Sequence, residues 1–387
     1  MISPRGLASA SIPVLVAGLH ASAAHAAPPA RWTAPTADAS LALAAEHARH
    51  GGVEGLAGVA ALSFWANEAT PGAAARALAA IGAGSTDAAA DARWVAAELD
   101  RAAPPGLVRD LAVIGPFQDN EGKVRDRAKD LAEASVKAWT DRAKKHDWGA
   151  EEVRWRDLPF QADARGAPLG LLFSPRRETC VYVASRLHFD AAASVDVLLA
   201  STGAARLVWD GADLGASDAL HERAMFDRIG ARVEVTPGDH LVAAKVCTGP
   251  HDDRGRARIH VEGADGKPAR FTASRDLGPL AGHAFARVAA RAFETTAARA
   301  LREAEGATGP GRLDALVLLT LGGLDDQRSP RASALVDAIV SDASSSPDSV
   351  AAAAALSAFG AVRTGALHAA DDRARASGDL TTADFAE

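Results

Sequence analysis

Between about residues 150 and 275 the chain changes its period. Apolar side chains fall on alternate positions of short runs, and Asp210-Gly211, Pro237-Gly238 and Asp265-Gly266 punctuate them. Thr179–Phe189 places Val181, Val183, Leu187 and Phe189 on or near one face, and His240–Cys247 does the same with Val242, Ala244 and Val246. Glu152–Leu158, Leu169–Phe173, Ser194–Ala200, Ala205–Asp210, Ala231–Val235, Arg256–Glu262 and Ala269–Thr272 read as further strands, and Leu111–Phe117 as an earlier one closed by Gly115-Pro116. Successive strand side chains point to opposite faces, so such a series buries its apolar side only by pairing into sheets. Turns between adjacent runs favour an antiparallel sandwich over a βαβ arrangement.

On either side the pattern is helical. Ala39–His50, Val53–Asn67, Pro71–Ile81 and Asp87–Ala103 are Ala-rich runs with Asp38, Thr70-Pro71 and Thr86-Asp87 as start signals. A Pro in the first turn loses nothing, because that N–H has no intrahelical partner. Small residues let helices approach closely, as in stacked antiparallel pairs. After residue 278 the expected helices are Leu280–Glu305, Leu313–Leu321, Pro330–Val340 and Pro347–Phe359, followed by a polar tail from Asp371. No strict repeat of about 34 residues is legible. The expected organisation is an α+β multidomain chain: an α-helical segment at 27–104, an antiparallel β-sandwich at 105–278 with a helical insertion near 121–146, and a helical, repeat-like segment at 279–387.

The first 26 residues read as an export signal. Arg5 supplies the positive start, Leu7–Leu19 is mostly apolar or small, and Ala24-His25-Ala26 fits a signal-peptidase site. The apolar run is shorter than the roughly 20 residues of a membrane span, and no later stretch is long and apolar enough for one. The expected location is therefore periplasmic or extracellular. The chain has 387 residues and a net charge of −7, which offers nucleic-acid phosphates no surplus of positive charge. Its two cysteines, Cys180 and Cys247, end two strand-like runs. Two readings stand for them, a disulfide across a sheet and a pair of buried thiols. Two cysteines without a C-x-x-C cannot form a Cys-rich zinc site.

Three stretches of the middle block carry a family resemblance: Cys180-Val-Tyr-Val-Ala-Ser, Val208-Trp209-Asp210-Gly211, and Val233 through Val246 with its Pro237-Gly238-Asp239 turn. They resemble a galactose-binding-like jelly roll, with Asp210 and Asp239 where that family more often has Asn. Both residue types tolerate left-handed turn geometry. With tetratricopeptide-like helices on both sides, the arrangement is similar to the N-terminal part of exported bacterial transglutaminase-like proteins. No Cys-His-Asp set of that family's kind follows, so its activity is carried to no residue.

Catalytic motifs are sparse. There is no G-x-S-x-G, and His221-Glu222 lacks the second His of a zinc-binding helix. His47 and His50 read as an exposed pair. Asp210, Asp213, Asp218 and Asp227 read as solvated loop carboxylates around Trp209, because their spacing matches no dense calcium loop. Gly263–Lys267 reads as a hairpin tip. No catalytic residue, cofactor or metal ligand is therefore expected. Tyr182, Trp209, Asp210 and Asp213 are the candidate ligand-loop residues, since two rings with nearby carboxylates are what a sugar would need. The expected function is an exported, non-catalytic binding or assembly protein with a protein or peptide partner. The alternatives are an accessory or truncated member of the transglutaminase-like family, and a carbohydrate-binding module at a cell wall.

Overall fold

The computed structural model describes residues 36–66, 68–82, 87–119, 141, 143, 145–148, 151–172, 177–249, 255–281, 283 and 289–364. The expected leader, most of the insertion expected near 121–146 and the tail from Asp371 lie outside the described residues.

Four helices open the described chain: α1 (Ala37–His47), α2 (Gly52–Trp65), α3 (Pro71–Gly82) and α4 (Asp87–Leu99). Thr36, not Asp38, caps α1, accepting from Ala39 N at 3.2 Å. Asp38 instead reaches the start of α3, where its two oxygens accept from Thr70 N and Thr70 Oγ1, each at 2.8 Å. The Ala-rich composition has a direct packing consequence. A β-carbon on Gly58 of α2 would collide with the backbone of Ala44 and Ala48, so this glycine sets how closely α1 and α2 approach.

The strands follow as β1 (Ala112–Gln118), β2 (His146–Trp148), β3 (Glu151–Val153), β4 (Arg156–Asp157), β5 (Ala167–Pro168), β6 (Thr179–Phe189), β7 (Ala193–Ser201), β8 (Gly203–Trp209), β9 (Ala212–His221), β10 (Ile229–Val235), β11 (Gly238–Cys247), β12 (Arg256–Gly263), β13 (Thr272–Ser274) and β14 (Ala290–Phe293). They form a seven-stranded sheet in the order β4-β1-β6-β11-β8-β9, with β13 also on β6, and a five-stranded sheet in the order β14-β10-β7-β12-β5; β2 and β3 pair alone. Every pairing among the described strands is antiparallel. The class is α+β.

One apolar core draws on both large sheets. Val181, Val183, Leu187 and Phe189 of β6 and Val242, Ala244 and Val246 of β11 meet Val195, Val197 and Leu199 of β7 and Ile259 and Val261 of β12. The alternate residues Cys180, Tyr182 and Ala184 face the other way, under Phe117, Trp155, Leu277 and Leu280. The period-two pattern therefore sorts the side chains of β6 into two cores, one on each face.

Four helices close the described chain: α5 (Thr296–Glu305), α6 (Gly311–Leu321), α7 (Ala332–Ser341) and α8 (Pro347–Thr364). The two helical segments share a core. Leu56, Val59 and Leu62 of α2, Ala297 and Ala300 of α5, and Val317, Leu318 and Leu321 of α6 belong to one buried cluster. Phe64 also meets Phe359 of α8 edge-on at 5.3 Å. They are thus one packed layer, not two flanks held apart by the sheets.

Several expected elements differ. Leu169–Leu171 is a 3-10 turn, not a strand. Within the helix expected at Leu280–Glu305, the described residues Ala290–Phe293 are instead a strand paired with β10 along Gly230–Val233, and Thr296–Glu305 is helical. A sheet edge with unpaired N–H and C=O groups outweighs the weak helix preference of four residues. The tight turn at Asp265-Gly266 is present, with Gly263 N donating to the Lys267 carbonyl at 2.7 Å and Glu262 bridging antiparallel to Pro268, after which β13 crosses to pair with β6 in the other sheet. No helix among the described residues is long and apolar enough to cross a membrane.

Candidate functional site

Asp210 and Gly211 form the two-residue turn from β8 to β9, with φ of +49° and +81°. Both positions need the left-handed region, which Asp tolerates and Gly enters freely. This geometry turns the Asp210 carboxylate back onto the sheet. Its Oδ1 accepts from Leu241 N at 2.7 Å and its Oδ2 meets His240 Nδ1 at 2.6 Å. His240 Nε2 lies 2.9 Å from the Thr236 carbonyl. A carbonyl only accepts, so Nε2 carries a hydrogen, and a second hydrogen on Nδ1 satisfies the carboxylate. Burial opposes charge on this ring, but the Asp210 and Thr236 bonds and the charges of Asp210 and Asp239 outweigh it and raise the His240 pKa. The His240 ring stacks on Trp209 at 5.4 Å.

That arrangement overturns the ligand-loop reading. Trp209 is 0% exposed and Tyr182 2% exposed, so neither ring can stack on a sugar. Trp209 points into the core between the sheets, and Tyr182 into the core behind β6. The Asp210 side chain is also enclosed, holding the β8–β9 turn to the β10–β11 turn. Asp213 is the exposed member; it sits on β9, accepts from Gly215 N at 3.0 Å and lies 3.4 Å from Arg206. The four residues are not a site. The other carboxylates are dispersed too, Asp218 on β9 and Asp227 in a buried network beyond it. His47 is not exposed either, since its Nδ1 packs against Glu54 at 2.7 Å.

The cysteines are joined. Cys180 and Cys247 are directly opposite on β6 and β11, their Cα atoms 4.0 Å apart and their sulfurs bonded. Two residues along the same face, Tyr182 lies opposite Lys245, whose Nζ is 5.9 Å from the ring. Phe117 meets Tyr182 edge-on at 5.7 Å. Asp119, immediately after β1, is buried and directs a carboxylate oxygen here; that oxygen and both sulfurs lie within 4.8 Å of one another. The face thus gathers two sulfurs, a carboxylate and an ammonium from adjacent strands. Only the cysteines are legible as a pair, because strand pairing and not spacing brings Asp119 to the sulfurs and Lys245 opposite Tyr182.

A dense ionisable cluster lies where described helices meet sheet, and no motif marks it. Arg258 Nη1 donates to the Ala164 carbonyl at 3.2 Å and Nη2 to the Met225 carbonyl at 2.8 Å. His260 Nε2 lies 2.8 Å from Asp227 Oδ2, and Arg93 of α4 pairs with Glu262. The Trp94 ring sits 4.2 Å from the Arg258 guanidinium and 4.7 Å from the His260 ring. Burial pushes the Asp227 carboxyl up, but His260, Arg258 and Arg93 outweigh it and bring it down to about 2. Next to this cluster Phe226, fully buried, enters the core of the helical layer. Arg228 closes the same loop, with Nη1 on the Ser201 carbonyl at 3.2 Å and Nη2 on Ser217 Oγ at 2.6 Å. Residues 222–228 are therefore a peg that fastens the two layers, and these charges serve that join.

A scan against protein-family models gives no match, and no curated protein matches the chain.

Proposed function

We propose that this chain is an exported, non-catalytic binding or assembly protein, in which a galactose-binding-like jelly roll carries a tetratricopeptide-like helical layer that meets a protein or peptide partner. The observation that carries the reading is the Cys180–Cys247 bridge inside a β core. Such bridges persist in oxidising compartments, which agrees with the signal-like Arg5 to Ala26 stretch. The described ionisable clusters add support, because their side chains hold turns and layers together. A carbohydrate-binding role through Tyr182 and Trp209 is dropped, since both rings are interior.

The test is expression of the full chain in a Gram-negative host, followed by fractionation and intact-mass analysis. The expected product begins at Ala27, lies in the periplasmic fraction and carries no free thiol. A cytoplasmic product retaining Met1 and two free thiols would overturn export. Cross-linking of the exported chain, with excess purified chain as competitor, then tests binding. A specific adduct that the competitor removes is expected, and turnover of any substrate by the purified chain would refute the non-catalytic reading.

A further inference from the structure

We propose that Cys180, Cys247 and Asp119 form a redox-gated site for a thiophilic divalent cation, closed while the disulfide stands and opened by its reduction. This goes beyond the binding role above and does not depend on it. The three residues come from neighbouring strands, at the end of β1, the start of β6 and the end of β11. One oxygen and two sulfurs already lie within 4.8 Å of one another. A tetrahedral zinc site with Zn–S near about 2.3 Å and Zn–O near about 2.1 Å separates its donors by roughly 3.3–3.8 Å. Modest inward movement of Asp119 and parting of the sulfurs reaches that shape. Thiolate donors select zinc and similar ions over magnesium or calcium, and three protein ligands leave a fourth position for water.

The balance of the step is explicit. A dithiol reductant gives two electrons and two protons to the bridge; the S–S bond breaks, two thiols form, and the reductant leaves as its own disulfide. The cation then displaces both thiol protons and takes the two thiolates and the Asp119 carboxylate. Three anionic donors around a divalent ion leave one negative charge in a buried place. Lys245 is buried on the same face of β11 two residues before Cys247, with its Nζ 5.9 Å from the Tyr182 ring, and its ammonium is the charge available to offset this one.

The strand ends do not rely on the bridge alone. Thr248 N donates to the Thr179 carbonyl at 2.8 Å, Thr179 N donates to Thr248 Oγ1 at 3.1 Å, and β8 flanks β11 through Ala204 opposite Cys247. The ladder therefore survives reduction and presents the donors.

The experiment titrates cobalt(II) into the mature chain, anaerobically, before and after reduction by a trialkylphosphine, with far-ultraviolet circular dichroism on the same samples. The reduced chain should stay folded, bind one equivalent with a sulfur-to-cobalt charge-transfer band and tetrahedral ligand-field bands, and lose both to zinc. The oxidised chain should show neither band. Asp119→Asn, which keeps both cysteines, should retain the band but bind about tenfold or more weakly. Unfolding on reduction, no charge-transfer band in the folded reduced chain, or an Asp119→Asn variant that binds as tightly as the parent would each overturn the site.

Discussion

Asp210 Oδ2 lies 2.6 Å from His240 Nδ1, and this contact ties the β8–β9 turn to the strand that leaves the β10–β11 turn. The left-handed turn at Asp210 aims the carboxylate inward, and the stacked Trp209 ring holds the imidazole in place. A residue expected to face a ligand instead closes the end of the sheet.

This pair gives stability a definite pH dependence. The His240 pKa is raised in the folded chain, so its contribution is fully present below the unfolded value of about 6.5 and is lost as pH rises through the folded value. Melting temperature measured from pH 6 upward should fall more steeply in the parent than in His240→Gln. Asp210→Asn, which keeps a residue tolerant of positive φ, should cost about 1–3 kcal/mol by chemical denaturation through loss of the charged hydrogen bond.

The buried junction should respond at the acid end. Asp227 is depressed to about 2, so the stability it confers is present above its unfolded value near 3.8 and disappears as pH falls toward 2. Denaturant midpoints between pH 5 and 2 should drop further in the parent than in Asp227→Asn. Arg258→Leu leaves Asp227 without its nearest guanidinium in a buried place and should cost about 3–5 kcal/mol at pH 7.

Phe226→Ala tests whether the loop is the fastening between layers. Emptying a fully buried aromatic site costs about 3–5 kcal/mol. The expected result is a lower first transition in calorimetry, with helical and β signals no longer melting together. A variant that melts at the parental temperature in one transition would show that Phe226 fastens nothing.

Gly58→Ala sets helix propensity against packing. Alanine favours a helix interior by about 1 kcal/mol, yet the added methyl would strike the Ala44 and Ala48 backbone of α1. Overpacking of this kind costs about 1–3 kcal/mol, so a lower melting temperature is expected; a higher one would mean that α1 moves aside freely.

Reduction of Cys180–Cys247, or the Cys180→Ala/Cys247→Ala double variant, should lower stability by about 2–4 kcal/mol, the typical worth of a disulfide, here between residues separated by 67 positions in the chain. Denaturation with and without reductant measures it.

Much of the β part was legible because its rules are local. The alternation of Val181, Val183, Leu187 and Phe189 marks the face that meets the other sheet, and Asp210-Gly211 marks the turn. β9 was missed because Asp213, Ser217 and Asp218 on a half-exposed edge strand break the apolar alternation. β14 was read as helix because Ala290–Phe293 sits in an Ala-rich stretch, where only the waiting edge of β10 makes a strand. The burial of Tyr182 and Trp209 is not legible in the sequence, because it depends on what covers a strand, and no residue near either ring in sequence says what that is.

By itself the sequence determined many of the turns, that the middle block is mostly extended and the blocks around it mostly helical, and which residues of β6 and β11 share a face, since backbone sterics and side-chain periodicity act within a few residues. Tertiary structure alone decided that α2 packs with α6, that Phe226 plugs the helical layer, and that Asp119 and Lys245 stand beside the disulfide. Those pairings join residues far apart in the chain, and they are chosen by mutual burial and charge compensation, which no local pattern records.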